Sequence, residues 1–431
     1  MLVMMVFQTL YFLIDLYWVG RLGTEAVAAV GIAGNLSFVV LALTQMLGVG
    51  TTAVVSHAVG RKDHEQARLL FNQSQVLAMV IGFAFLVIGL ALRWPYANAM
   101  SADARTASLA AEYLLWFIPA MALQFAMVAM GAALRGVGNF KPGMVVSSVT
   151  VVVNMILAPI LIFGWGTGRA FGVAGAAIST LIAIVVAIVW LSMYFVGKDA
   201  YLHFDARVWK PQFAAWRKIL AIGLPTGFEF AMVAIYLALV YSIARPFGAE
   251  AQAGFGIGQR IIQAGFVPVI ALGFAVAPVA GQNYGARLPH RVKATFKDAA
   301  LMASGVMLLF AIACHIAPAT LIAIFTNDAQ VSAVGTEYLR IISWNYVASG
   351  LIFVASSMFQ AMGNTIPSLV SSAVRLALVF VPAVLMARTP GFQLNWIWYL
   401  SAFAVWVQLA LSMWLLRREF ARRLTFEPTT A

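Results

Sequence analysis

An all-α polytopic membrane protein, with twelve transmembrane helices arranged as two six-helix lobes in parallel repeat, is predicted by three observations. First, 63% of the 431 residues are hydrophobic and only 10% are charged, whereas a soluble globular chain is about 45–50% apolar and about 25% charged. Too few polar side chains are present to cover a water-exposed shell, so the outer surface faces lipid. Second, the apolar runs are about 20 residues long, which at about 1.5 Å per residue matches a hydrocarbon core of about 30 Å. Third, rare residues recur at one constant spacing of 225. Gly23 and Glu25 return as Gly248 and Glu250, Asp103-Ala104 as Asp328-Ala329, Glu112-Tyr113-Leu114 as Glu337-Tyr338-Leu339, and Gly138-Asn139 with Pro142 as Gly363-Asn364 with Pro367. Six crossings, an even number, separate equivalent positions, so both halves enter from the same side.

Read between polar breaks, the spans fall at 1–19, 27–55, 72–93, 109–133, 143–163, 172–196, 219–243, 255–281, 298–325, 337–359, 368–387 and 396–416. The stretches 93–108 and 284–297 have room for short amphipathic helices at the interface. The predicted organisation is an N-terminal lobe over 1–196, a cytoplasmic linker over 197–218, a C-terminal lobe over 219–416 and a basic cytoplasmic tail over 417–431. Loops after even-numbered spans, with that tail, hold 18 of the 27 basic residues, among them Arg61, Lys62, Lys198, Arg287 and Arg417. The positive-inside rule therefore puts both termini in the cytoplasm of a cell (inner) membrane protein.

Topology accounts for the net charge of +12, and the basic residues form no stripe of the kind that binds nucleic acid. The single cysteine, Cys314, lies in an apolar run, so neither a disulfide framework nor a thiolate metal cluster arises within one chain. Two lobes joined by a polar loop suit rocking of one against the other across a cavity, the movement of an alternating-access transporter. Primary pumping lacks a G-x-x-x-x-G-K-[ST] loop, and the run from Gly254 to Gly258 lacks the strand context of a dinucleotide fingerprint. The five histidines are scattered, with no H-E-x-x-H and no Gly-x-Ser-x-Gly, so an enzyme is not indicated.

Ionisable residues inside spans are costly and mark function. Asp15 lies in the first span, where a carboxylate serves a proton, a sodium ion or a cationic solute, or else acts as a structural hydrogen-bond acceptor. Asn154 lies at a similar depth in the fifth span; its structural alternative is a helix-to-helix hydrogen bond. Glu229 in the seventh span and Arg375 in the eleventh lie at similar depth by residue count, which allows either a static ion pair or a working site. Arg260 in the eighth span is placed to snorkel to the external interface ahead of any role in substrate binding. No metal-ligand cluster or cofactor motif is present.

Several separated motifs resemble the multidrug and toxic compound extrusion (MATE) family. They are Asp15-Leu-Tyr-Trp-Val-Gly-Arg-Leu-Gly23, Ala133-Leu-Arg-Gly-Val-Gly-Asn139 with Pro142, Gly172-Val-Ala-Gly-Ala-Ala177, Gly223-Leu-Pro225, Gly281-Gln-Asn-Tyr-Gly285 and Gln360-Ala-Met-Gly-Asn364. The resemblance covers essentially the whole chain. It implies an antiporter that exports amphipathic, often cationic small molecules while admitting H⁺ or Na⁺, with no other cofactor; no interface motif requires an oligomer, so a monomer suffices. It also implies an ion-coupling role for Asp15, with Asn154 matching the first position of an N-x-x-x-D pattern whose acid is here replaced by Ala158. Glu229 resembles in kind a seventh-span glutamate of some branches. The alternative within the same superfamily is a flippase or exporter of a lipid-linked precursor or polysaccharide, which calls for a cationic cavity that only Arg260 and Arg375 could supply.

Overall fold

The computed structural model describes residues 17–166, 168–196 and 201–426, and these residues form helices joined by short turns. Thirteen α-helices are described: α1 Thr24–Gly60, α2 His64–Met100, α3 Ala104–Val137, α4 Lys141–Phe163, α5 Gly172–Met193, α6 Phe213–Ala244, α7 Ala249–Gly285, α8 Pro289–Ile316, α9 Pro318–Ala323, α10 Ala329–Ile342, α11 Tyr346–Ala361, α12 Ile366–Met386 and α13 Asn395–Arg423. With α10 and α11 taken as one span, eleven helices among the described residues are long and apolar enough to cross a membrane. The predicted first span, 1–19, lies outside the described residues except for Tyr17–Val19, which are helical.

Helix ends follow local chemistry. The Asp63 carboxylate accepts the Gln66 N–H at 3.0 Å, Asp103 accepts that of Thr106 at 2.8 Å, and Asp328 accepts those of Gln330 and Val331 at 2.9 Å. Each satisfies donors that an α-helix start leaves bare. The first two start α2 at His64 and α3 at Ala104; α2 runs on to Met100, and α8 starts at Pro289. The regions 93–108 and 284–297 are therefore the ends of long helices rather than separate amphipathic ones. The predicted ninth span breaks at Ala317 before Pro318, where a proline cannot continue the helix, and the tenth is interrupted by a 3₁₀ turn over Ser343–Asn345.

The 225-residue repeat is written in the backbone. Both α1 and α7 are 37 residues long and follow a glycine of positive φ, Gly23 at 107° and Gly248 at 96°. Lys62 and Arg287 share a left-handed φ of 59° and 58°. Gly138 at 89° and Gly363 at 71° close the helices before them, and the next N–H in each case, from Asn139 and Asn364, donates to the carbonyls of Leu134 and Phe359 at 2.9 and 3.0 Å. That six-to-one bond is the Schellman closure, and it needs a left-handed residue where glycine is strain-free.

The chain divides into two compact units, Met1–Gly227 and Phe228–Ala431, each with its own apolar core. The boundary between these units falls inside α6. In the N-terminal unit, Gly223 and Gly50 sit where an added Cβ would collide with the carbonyl oxygens of Met46 and Ile219. This is the close backbone approach that small residues permit between membrane helices. The described part of the linker is fastened to the same unit. Asn72 Nδ2 donates to the His203 carbonyl at 3.0 Å, its Oδ1 accepts from Trp209 Nε1 at 2.8 Å, and Gln73 Nε2 donates to the Val208 and Lys210 carbonyls at 2.6 and 2.8 Å. At the other end α13 continues to Arg423, which pairs with Glu419 at 2.7 Å, so the first part of the predicted tail is helical.

Candidate functional site

Each unit holds a cavity of its own. The N-terminal one, about 320 Å³, is lined by α3, α4 and α5, and the C-terminal one, about 390 Å³, by α6, α7 and α10 to α13. The two are the same place in the repeat. Met121, Gln124, Gly131, Ser147, Thr150 and Ala183 line the first; the residues 225 further on, Tyr346, Ser349, Ser356, Ser372, Arg375 and Gln408, line the second.

Chemistry has diverged on this shared scaffold. In the C-terminal unit, Glu229 is the cavity's carboxylate and is partly buried. Ser368 Oγ lies 3.1 and 3.0 Å from its two oxygens, and Ser372 donates to Oε1 at 2.9 Å. Ser356 Oγ is 2.8 Å from Ser368 Oγ, and Gln408 Nε2 donates to Ser372 Oγ at 3.2 Å. The carboxylate thus rests in a hydroxyl cradle reaching across three helices. Ser368 and Ser372 are one turn apart, which puts both on one face of α12. The N-terminal positions equivalent to Ser368, Ser356 and Gln408 are Gly143, Gly131 and Ala183, and Met4 stands 225 residues before Glu229.

Arg375 lines the same cavity but does not pair with Glu229. Among the described residues the ion pairs are Arg68 with Asp205, Arg105 with Glu25 and Arg423 with Glu419. The Arg375 guanidinium instead lies over the Tyr236 ring, 5.3 Å from its centroid, and the Tyr236 hydroxyl is 3.0 Å from Ser401 Oγ. The static ion pair, one of the two arrangements that similar depth allowed, does not form, for a geometric reason. Glu229 meets Ser368, at the very start of the predicted eleventh span, so the two span starts used to count depth are not level. Tyr236 and Arg375 each lie seven residues beyond Glu229 and Ser368, about 10 Å further along both helices.

In the N-terminal unit Asn154 is 3% exposed and lines the cavity. Its Nδ2 donates to Ser179 Oγ at 3.3 Å and Thr180 Oγ1 at 3.1 Å, a bond from α4 to α5. Asp15, its expected partner, lies outside the described residues. Arg135, assigned from sequence to a loop, lies within α3 and lines this cavity. Arg260 is exposed on α7 and lines neither cavity. Sequence reasoning missed Ser356, Ser368, Ser372, Tyr236 and Gln408. Comparing the two halves position by position would have flagged three of them, as polar residues replacing Gly131, Gly143 and Ala183.

The MatE family model matches residues 1–160 and again 225–385, once in each half of the repeat. The chain is 25% identical over 407 residues to the probable multidrug resistance protein YoeA of Bacillus subtilis, covering 93% of this chain and 88% of that one. It is 25% identical over 375 residues to a FAD transporter of Shewanella oneidensis, covering 86% and 82%. Among solved structures, a MOP superfamily transporter from Pyrococcus furiosus matches at a TM-score of 0.90 and 25% identity, covering 99% of this chain and 94% of that one. A structure of MATE in the bent conformation matches at 0.91 and 25%, covering 98% and 93%. The matched family model and the two-unit helical architecture that carries it make this chain a member of the MATE family, a multi-pass membrane transporter of small molecules and not an enzyme.

Proposed function

We propose that the protein is a secondary active antiporter of the cell (inner) membrane that exports amphipathic, cationic small molecules, drugs or metabolites, in exchange for H⁺ or Na⁺. It works as a monomer by alternating access with both termini in the cytoplasm. The observation that carries this reading is Glu229, a carboxylate that lines a cavity in a membrane-spanning unit and is held by neutral hydroxyl groups rather than by a cation. Such a group can exchange a counter-ion without breaking an internal salt bridge. Its hydroxyl neighbours can accept a hydrogen bond from the protonated form as readily as they donate to the ionised one.

Asp15 is the proposed coupling acid of the N-terminal lobe, with Asn154 beside it in role, on the strength of the motif that begins at Asp15. Glu229 is the second acid. The cycle we propose has ion binding neutralise the acid and release the solute outward, after which the lobes rock and the ion leaves to the cytosol. Coupling of this kind requires the ion and solute to bind the two conformations with different affinity. The second reading, export of an anionic metabolite or lipid-linked precursor, is favoured by Arg135 and Arg375, one in each cavity, and by the FAD transporter among the relatives.

The test is ethidium efflux from proteoliposomes holding wild type or Asp15→Asn, with proton and sodium gradients imposed separately. Efflux driven by one gradient and lost in the variant establishes the antiporter and names the ion. No efflux under either gradient from folded protein overturns the cationic-drug reading in favour of the anionic one.

A further inference from the structure

The C-terminal cavity carries opposite charges that leave one another alone. Glu229 is occupied by Ser368 and Ser372, and Arg375 lies about 10 Å away along the helices over Tyr236. An arginine within a membrane span is expensive, and three observations show that this one has no counter-charge within the described residues to account for it. Its repeat equivalent, Thr150, satisfies itself by donating to the Val146 carbonyl at 2.7 Å in a cavity of the same lineage. No carboxylate of the described residues neutralises Arg375. The Tyr236 ring faces the guanidinium in a cation–π contact, and among the described residues no hydrogen-bond acceptor takes up the Arg375 N–H groups, which a bidentate acceptor could use.

Acceptors are also in surplus on the same wall. Asn345 and Gln408 are 2% and 3% exposed, and Asn345 Oδ1 and Gln408 Oε1 have no protein hydrogen-bond partner although both residues line the cavity. A buried carbonyl without a donor is costly and is explained when a bound group supplies one. The cavity thus offers a carboxylate and orphaned carbonyls to a donor cation, and one guanidinium fork to an anion, with aromatic rings such as Phe266 and Phe353 between helices.

We infer that Arg375 is a specificity-determining residue that binds an anionic group, a carboxylate or phosphate, on the transported solute, so that the C-terminal cavity selects zwitterionic aromatic compounds over pure cations. This rests on the transport reading and narrows its solute class: the solute keeps the positive charge of that reading and carries an anionic group as well. Glu229 with the carbonyls of Asn345 and Gln408 takes the cationic end, and Arg375 on Tyr236 takes the anionic end.

A matched pair of probes tests it: a rhodamine that bears a free carboxylate, and the methyl ester of the same dye, which is a pure cation. Binding to the purified full-length protein is followed by fluorescence anisotropy for wild type, Arg375→Gln and Arg375→Lys. The expected result is at least about tenfold tighter binding of the free acid by wild type, loss of that preference in Arg375→Gln with ester binding no weaker than in wild type, since a like charge is removed, and partial recovery in Arg375→Lys, which keeps the charge and loses the planar fork. Equal binding of the two dyes by wild type, failure of wild type to bind either, or a preference that survives in Arg375→Gln overturns the inference. Ethidium binding, measured in the same samples, separates the two levels: ethidium bound without acid preference sinks only the role of Arg375, whereas no ethidium and no dye bound sinks the transport reading as well. Equal loss of acid, ester and ethidium in both variants assigns Arg375 a structural role and also overturns the inference.

Discussion

The cavities of the two units occupy the same positions of one repeat, yet one is lined by glycine, alanine and threonine where the other presents serine, glutamine and arginine. Duplication supplied the scaffold twice, and the polar chemistry was then placed at different positions in each copy. The C-terminal half has Glu229 and Arg375 where the N-terminal half has Met4 and Thr150. The N-terminal half has Asp15 and Asn154 where the other has Val240 and Val379, both fully buried. A shared fold therefore does not imply a shared ion site, and each unit is to be tested on its own residues.

The largest expected effect comes from the polar cluster of the C-terminal unit. Glu229→Gln should lower gradient-driven ethidium efflux by at least about tenfold while protein yield and monodispersity are unchanged, because the amide keeps partners among Ser368 and Ser372. Full efflux in this variant would leave the N-terminal unit as the sole coupling lobe.

Next in size is packing. Gly223→Val in the N-terminal unit pushes a side chain into the Met46 carbonyl, whereas at Gly305 in the C-terminal unit an added Cβ meets nothing within 4 Å, leaving room for Gly305→Val. The first should lower stability by about 1–3 kcal/mol or prevent folding, and the second should stay near wild type, both read from thermal unfolding in detergent. Asn154→Leu removes two interhelical hydrogen bonds worth about 0.6 kcal/mol each. A stability loss near 1 kcal/mol with efflux retained would make Asn154 a structural tie; abolished efflux at unchanged stability would give it a part in coupling.

The smallest effect concerns the paired helix caps. Hydrogen bonds from the Thr106 backbone and hydroxyl hold the Asp103 carboxyl below the usual carboxylate range. A depressed folded-state value means stability that is present above the unfolded-state value, about 3.9, and is lost as pH falls through the folded one. Asp103→Asn keeps an acceptor but cannot titrate, so the acid side of a stability-against-pH curve should flatten slightly in unfolding scans between about pH 2 and 5. An unchanged slope would remove Asp103 from the acid response.

Hydropathy made the helix interiors legible, since lipid forces every spanning segment to be apolar and helical. It could not see where helices outrun the apolar run. Asp63 caps α2 at His64, several residues before the predicted start at 72, and Pro318 and the 3₁₀ turn at Ser343–Asn345 break spans that hydropathy reads as continuous. The repeat was legible because Gly23, Asp103 and Gly138 serve caps and closures that few residue types can fill. The cavity was half legible. Glu229 and Arg375 stand out as charges within spans, but their separation could not be read from counting residues, because only the packing of α6 on α12 sets Glu229 level with Ser368. The serine cradle gave no signal in hydropathy, since a serine turned to a cavity and one turned to its own helix read alike.

The central claim, ion-coupled export, is tested most directly by recording lumenal pH and sodium while ethidium moves down its own gradient into proteoliposomes that hold no ion gradient. Wild type is expected to move one of the two ions in the opposite sense to ethidium, and Asp15→Asn is expected to move none. Ethidium movement in wild type with neither ion displaced would contradict the account.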